Sequence, residues 1–241
     1  MISKKILILG GSGAIGKSLA KELIEKKYKP ILIARNKQDL EIISDKLDCE
    51  HHVCDILETK KLISIIKDIG EDIYGLAYCV GSINLKPLKL ATEEDFIESY
   101  KINTLGAINS IKAAQSSLIK NKGSILLFST IAVQQGFINH SIISSAKGAI
   151  EGLTLSLAAE LAPNVRVNCI APSLTDSKMS KNMVNNANIR KAIEVMHPIP
   201  KIGEGNDFSG IGTYLISESN QWITGQIIHI DGGRSTLRLK A

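Results

Sequence analysis

Apolar and polar positions fall into short solid blocks separated by longer stretches of helical period. The blocks Lys5–Leu9, Pro30–Ala34, His52–Cys54, Tyr74–Cys79, Ser124–Phe128, Val165–Ile170 and Gln226–Ile230 read as strands. Between them the 3.6-residue pattern predicts a helix running to about Lys27, then Lys37–Leu47, Leu62–Ile69, Glu93–Lys120, Ser144–Leu161 and Asp207–Ser217. Continuously apolar strands are buried on both faces, and strands alternating with helices make βαβ units around a parallel sheet. The class is therefore α/β, doubly wound.

No composition break, linker or repeat divides the 241 residues, so one domain over 1–241 is expected. The stretch Thr175–Pro200 departs from the pattern: it is polar and rich in asparagine. Ligands of doubly wound sheets bind beyond the carboxyl ends of the strands, so an insertion at about 175–205 reads as a substrate lid.

Composition narrows the chemistry. The apolar share of 44% is ordinary for a globular chain. No apolar run approaches about 18 residues, so a membrane span is not expected. Ile6–Leu9 is too short for the core of a signal peptide, and a cytoplasmic protein is expected. The net charge is +5, yet aromatics are only 4% and no basic block interleaves with them, which argues against nucleic acid. Cys49, His51, His52 and Cys54 cluster without zinc spacing, so no metal is expected and the four cysteines read as reduced thiols.

A nucleotide site is indicated after the first strand, where "GGSGAIG" spans Gly10 to Gly16 and opens a helix. Gly11, Gly13 and Gly16 fit G-x-G-x-x-G, a turn whose backbone approaches a pyrophosphate at a helix N-terminus. A turn that merely needs glycine gives the same string; the flanking strand and helix favour the nucleotide. An acid expected about 20 residues on, for a ribose 2′-hydroxyl, is absent. Arg35 stands there instead, followed by Asn36. A guanidinium suits a 2′-phosphate, so NADP(H) is expected over NAD(H), the plainer alternative being a solvated arginine.

Further motifs make the chain resemble the short-chain dehydrogenase/reductase family over nearly its whole length. The glycine motif is present with Ala14 at the middle glycine; "CDIL" supplies Asp55 and Ile56; "YCVG" supplies Cys79, Val80 and Gly81. Asn103 lies in "KINTLGA", "PSLTDS" spans Pro172 to Ser177, and "WITGQIIHIDGG" spans Trp222 to Gly233. The resemblance, to members like bacterial 3-oxoacyl-carrier-protein reductases, implies a Rossmann fold with a seven-stranded parallel sheet of order 3-2-1-4-5-6-7. It implies that Gly10, Ser12, Gly13, Ala14, Ile15, Gly16, Arg35, Asn36, Asp55, Ile56, Cys79, Val80, Gly81, Lys147, Pro172, Ser173 and Thr175 bind the cofactor. It further implies a small-molecule or acyl-carrier substrate, and a homotetramer or homodimer formed by the long helices and the C-terminal segment.

The resemblance breaks at the proton chemistry. The family uses a serine, a tyrosine thirteen positions later, and a lysine four beyond that. Here those positions are Thr130, Ile143 and Lys147, with Ser129 before the threonine. Threonine can replace the serine as a donor; isoleucine cannot donate a proton. None of the five tyrosines lies between Ser129 and Lys147. His140 precedes Lys147 at a spacing seen for shifted tyrosines, and imidazole is a competent acid near neutral pH. A surface histidine is the plainer reading. Ser141, Ser144 and Tyr78 are weaker candidates. The catalytic set expected is Asn103, Thr130, Lys147 and His140. Two functions remain open: an NADP(H)-dependent reductase of carbonyl or conjugated enoyl groups with a non-standard proton donor, and a nucleotide-binding homologue without turnover. Lys178, Lys181, Arg190 and Lys191 make the lid basic, which suits an acidic substrate or a solvated face equally.

Overall fold

In the computed structural model, which describes residues 4–238, seven parallel strands form one sheet of order β3-β2-β1-β4-β5-β6-β7. The strands are β1 (Lys5–Leu9), β2 (Lys29–Ala34), β3 (Glu50–Val53), β4 (Ile73–Tyr78), β5 (Ser124–Phe128), β6 (Arg166–Pro172) and β7 (Ile227–Ile230). The helices are α1 (Ala14–Glu25), α2 (Lys37–Leu47), α3 (Thr59–Ile69), α4 (Glu93–Tyr100), α5 (Gly106–Lys120), α6 (Ser141–Leu161), α7 (Lys181–Val184), α8 (Ala187–Glu194) and α9 (Gly205–Ile216). Residues 1–3 and 239–241 of the expected 1–241 unit lie outside the described residues.

Strand alternation divides the core. Leu7 and Leu9 pack with Ile31, Leu76 and Ile125 against α3, α5 and α6. Ile6 and Ile8 point the other way, with Leu32, Ala77 and Leu126, against α1 and α9. Burial on both faces explains why the strands read as solid apolar blocks.

The periodicity misplaced several boundaries. The third strand is Glu50–Val53 rather than His52–Cys54; it is an edge strand whose first three residues are polar and whose Glu50 is exposed, so hydrophobicity marked only its end. The stretch Glu93–Lys120 is not one α-helix. A π-helical segment at Lys101–Leu105 separates α4 from α5. Such a turn widens the hydrogen-bond ring and frees a main-chain carbonyl. Here Asn103 Nδ2 donates to Ser99 O at 2.9 Å, satisfying that group from the side chain. Helix α6 begins at Ser141, three residues before the apolar period becomes visible.

The insertion carries two short helices, α7 and α8, and its ends meet. Thr175 bridges to Gly203; Asp176 N donates to Gly203 O at 2.8 Å, and Gly203 N to Leu174 O at 3.0 Å. Among the described residues no helix is long and apolar enough to cross a membrane.

Candidate active site

The chain runs outward from β1 to β3 and returns to β4 beside β1, which opens a crevice at the carboxyl ends of the strands. A cavity of about 1220 Å³ lies there. Segments following six different strands line it: Gly10 with Ser12–Ile15, Arg35, Cys54–Leu57, Cys79–Ile83, Ser129–Ala132 and Ser173–Met179.

At one end the backbone forms an anion cradle. Gly10 has φ +80, and a Cβ on it would lie 2.8 Å from the main-chain carbon of Cys79. A Cβ on Gly16 would lie 2.4 Å from Gly10 O. Only glycine allows these close approaches, and they bring the loop onto the start of α1. Gly13 caps α1 with no side-chain hydrogen bond, so the first-turn amides face the cavity without an internal acceptor from the cap. A pyrophosphate fits this cradle on charge and shape. Gly16 itself is buried and does not line the cavity; it serves by letting α1 approach the loop.

Arg35 and Asn36 follow β2. Arg35 is largely exposed, with its guanidinium 4.0 Å from Asp55 Oδ2. Asn36 Oδ1 accepts from Asp39 N at 3.0 Å, starting α2. Asp55 Oδ1 accepts from Leu57 N at 2.9 Å, holding the turn after β3. Asp39 also lines this end, a residue that sequence reasoning missed. Its carboxylate pairs with Lys178 of the insertion at 2.6 Å, an ion pair that spans the cavity mouth.

At the other end, Lys147 is buried and donates to Phe128 O at 2.8 Å. Burial lowers its pKa from 10.5 to about 8. Cys79 beside it has its thiol pushed up to about 12 by burial. Thr130 lines the cavity and accepts from Ala132 N at 3.3 Å. Ile143 lines it too, one helical turn before Lys147 on the same face and 5% exposed. His140 joins them at the N-cap of α6. Its Nδ1 lies 2.7 Å from Ile138 O; a carbonyl only accepts, so Nδ1 carries the hydrogen and Nε2 remains to take or give a proton.

Asn103 does not reach the cavity. It is fully buried behind the β4 loop: Oδ1 accepts from Ser82 N at 3.3 Å and Nδ2 donates to Ser82 Oγ at 3.1 Å. It therefore fixes the loop that carries Gly81. Tyr78 donates its hydroxyl to Ile102 O at 2.6 Å, with burial raising its pKa, and packs in the core. Ser144 donates to Ala132 O at 2.8 Å.

Two features had no sequence signal. Ser173 lies 2.8 Å from Nε2 of His197, which is 3% exposed and donates from Nδ1 to Ile193 O at 2.9 Å, tying the insertion to β6. Arg234 reaches the cavity from the C-terminal segment. Two of the four lid cations are paired: Arg190 with Asp176 at 2.8 Å and with Glu194 at 3.2 Å, and Lys178 with Asp39 of α2. Among the described residues no three His, Cys, Asp or Glu side chains are grouped to hold a metal.

The enoyl-(acyl carrier protein) reductase family model matches residues 11–235. Carbonyl reductase family member 4 of Danio rerio is 28% identical over 98% of this chain and 100% of its own length. The 3-oxoacyl-[acyl-carrier-protein] reductase of Mus musculus is 27% identical over 96% of this chain and 98% of its own. The solved structure of ElxO with NADP bound superposes with a TM-score of 0.90 at 25% identity, covering 98% of this chain and 100% of that one. A short-chain type dehydrogenase/reductase from Mycobacterium ulcerans has a TM-score of 0.90 at 24% identity, over 98% of this chain and 90% of its own.

Proposed function

The chain belongs to the short-chain dehydrogenase/reductase family of oxidoreductases, and from that premise we propose that it is an NADP(H)-dependent enzyme acting on a carbonyl/alcohol pair, or a conjugated enoyl group, without the family's tyrosine. The supporting observation is one continuous cavity running from the glycine cradle and Arg35 to Thr130, His140 and Lys147. The bound cofactor supplies or accepts hydride at its nicotinamide.

The chain's own residues divide the remaining work. The loop Gly10–Gly16, with Ser12, Ala14 and Ile15, holds the pyrophosphate on the α1 amides. Arg35 and Asn36 take the 2′-phosphate, with Asp55 and Ile56 at the adenine. Cys79, Val80, Gly81, Pro172, Ser173 and Thr175 flank the nicotinamide half. Lys147 binds the nicotinamide ribose hydroxyls, the role of this lysine that needs no tyrosine. Thr130 donates a hydrogen bond to the substrate oxygen. Asn103 keeps the loop before Ile83 in place. His140 holds the exchangeable proton at Nε2 and gives it up in reduction, directly or through water.

We place the protein in the cytoplasm as a homotetramer or homodimer, acting on a small-molecule or acyl-carrier substrate. Exposed apolar residues support association: Tyr100, Leu105 and Leu155 on α4 to α6, and Trp222 near the C-terminal strand, which is 98% exposed.

The test is NADPH binding by fluorescence followed by turnover on a panel of aldehydes, ketones and enoyl thioesters. Consumption that is lost in Lys147→Ala supports the reading. Tight NADPH binding with no turnover across the panel overturns it in favour of a silent nucleotide-binding homologue.

A further inference from the structure

Arg234 lies at the substrate end of the cavity, in a built setting and without an ion pair among the described residues. It arrives by a tight reversal after β7. Gly232 and Gly233 take φ +64 and +86, conformations that favour glycine. The Asp231 carboxylate accepts from Gly233 N and Ser235 N, both at 2.8 Å. The nearest acid is thus committed to main-chain amides and forms no ion pair with the arginine. The guanidinium lies 4.9 Å from the Phe137 ring centroid, and Nη2 lies 3.5 Å from Met196 Sδ. Phe137 in turn meets His140 at a tilt of 53°, ring centroids 5.3 Å apart. Arg234, Phe137 and His140 all line the cavity.

Resting on the oxidoreductase reading, we propose that Arg234 binds a carboxylate carried by the substrate itself, so that the enzyme acts on a small oxo acid or hydroxy acid. A planar guanidinium matches a carboxylate with two parallel hydrogen bonds. The Phe137 ring takes one side of the guanidinium, and the thioether of Met196 is a weak acceptor that a carboxylate outcompetes. The position two ring contacts from His140 puts the anion on the same small molecule as the reacting carbon. Burial lowers the Arg234 pKa, opposed by the charge of Asp231, so the cation is partly stripped of water in a place where an anion restores what it lost. Lys181, the lid cation that lines the cavity without a carboxylate partner among the described residues, is exposed on the rim.

The experiment compares 2-oxobutanoate, acetoacetate and 4-oxopentanoate with their methyl esters, and with S-acetoacetyl-phosphopantetheine, on wild type, Arg234→Met and Arg234→Lys. Binding of each acid and ester to the NADP-loaded protein is measured beside turnover. Wild type is expected to prefer an acid over its ester, Arg234→Met to lose about 10- to 100-fold of that preference, mainly in KM, and Arg234→Lys to keep part of it. NADPH affinity stays unchanged in both variants and serves as the check on folding. Turnover of esters or of the phosphopantetheine thioester with no acid preference overturns the carboxylate site and leaves the oxidoreductase reading standing. Acid binding that vanishes in Arg234→Met, in a protein that reduces nothing, supports the anion site while overturning the oxidoreductase reading. No binding of any acid overturns the site.

Discussion

Lys147 gives its ammonium to the main-chain carbonyl of Phe128, 2.8 Å away, across the gap between α6 and the end of β5. The contact holds the amine in the cavity wall before any ribose arrives. Because burial sets its pKa at about 8, the ligand-free protein loses this charge on modest alkalinisation. NADPH affinity is therefore expected to fall as pH rises through about 8, and to be weaker and flat with pH in Lys147→Met. The folded pKa lies below the ordinary 10.5, so between the two values the unfolded chain holds a proton that the folded chain has released. Stability from this group thus grows with pH over that window. Thermal melts of the two proteins at about pH 7 and about pH 9.5 check it. Their Tm difference should move in the wild type's favour at the higher pH.

Arg35 is expected to set cofactor choice. Arg35→Asp replaces a donor fork for a 2′-phosphate with an acceptor for a 2′-hydroxyl, at the end of β2. The ratio of NADPH to NADH affinity should drop by more than tenfold, on the order of 1.4 kcal/mol. Equilibrium titration with both nucleotides measures it, and a smaller change removes Arg35 from the phosphate site.

The aliphatic residue at 143 gives a gain-of-function test. Ile143→Tyr puts a phenol on the face of α6 that carries Lys147. It is expected to raise kcat for carbonyl reduction, at a stability loss of about 1–3 kcal/mol from overpacking. His140→Ala should lower kcat by about 10²- to 10⁴-fold in the natural background and have little effect beside Ile143→Tyr. An unchanged rate in His140→Ala alone ends the case for the imidazole.

Lys178 and Asp39 pair across the mouth of the cavity near Arg35, which in the proposed function makes them a latch over the adenosine. Lys178 is 80% exposed in its side chain, so the pair contributes at most about 1 kcal/mol. Lys178→Met is expected to speed NADPH release by no more than about fivefold, and added salt to do the same to the wild type. Stopped-flow release traces decide; salt-independent release in the wild type counts against a latch.

Trp222 is the single tryptophan and stands almost wholly in solvent. Assembly through the C-terminal face predicts an emission maximum that moves to shorter wavelength as protein concentration rises. A constant spectrum, with sedimentation showing a monomer, rejects that face as an interface.

The parts of the candidate site built from neighbouring residues are legible in the sequence alone. Solid apolar blocks gave the strands, and each strand's carboxyl end then located Gly10–Gly16, Arg35, Asp55 and Thr130. Ile143 was visible as a departure because its spacing to Lys147 is local. The rest depended on encounters between distant segments. Phe137 and Arg234 meet only because Gly232 and Gly233 reverse the chain, and Ser173 meets His197 only once the insertion has closed. The π-segment at Lys101–Leu105 escaped because one widened turn hardly disturbs a helical period. Asn103 belongs to the site by the loop it holds, which no spacing reveals.

The joined ends of the insertion have an evolutionary meaning. Thr175 and Gly203 are paired to each other, so the sheet receives the same two anchor points whatever lies between them. Extra or missing residues in such a closed loop change its closure entropy only slowly, roughly as the logarithm of its length. The segment is thus an exchangeable cassette: its length and side chains can drift while the nucleotide half keeps its geometry. A lineage on this scaffold could replace what it recognises without refolding the machinery that carries the cofactor.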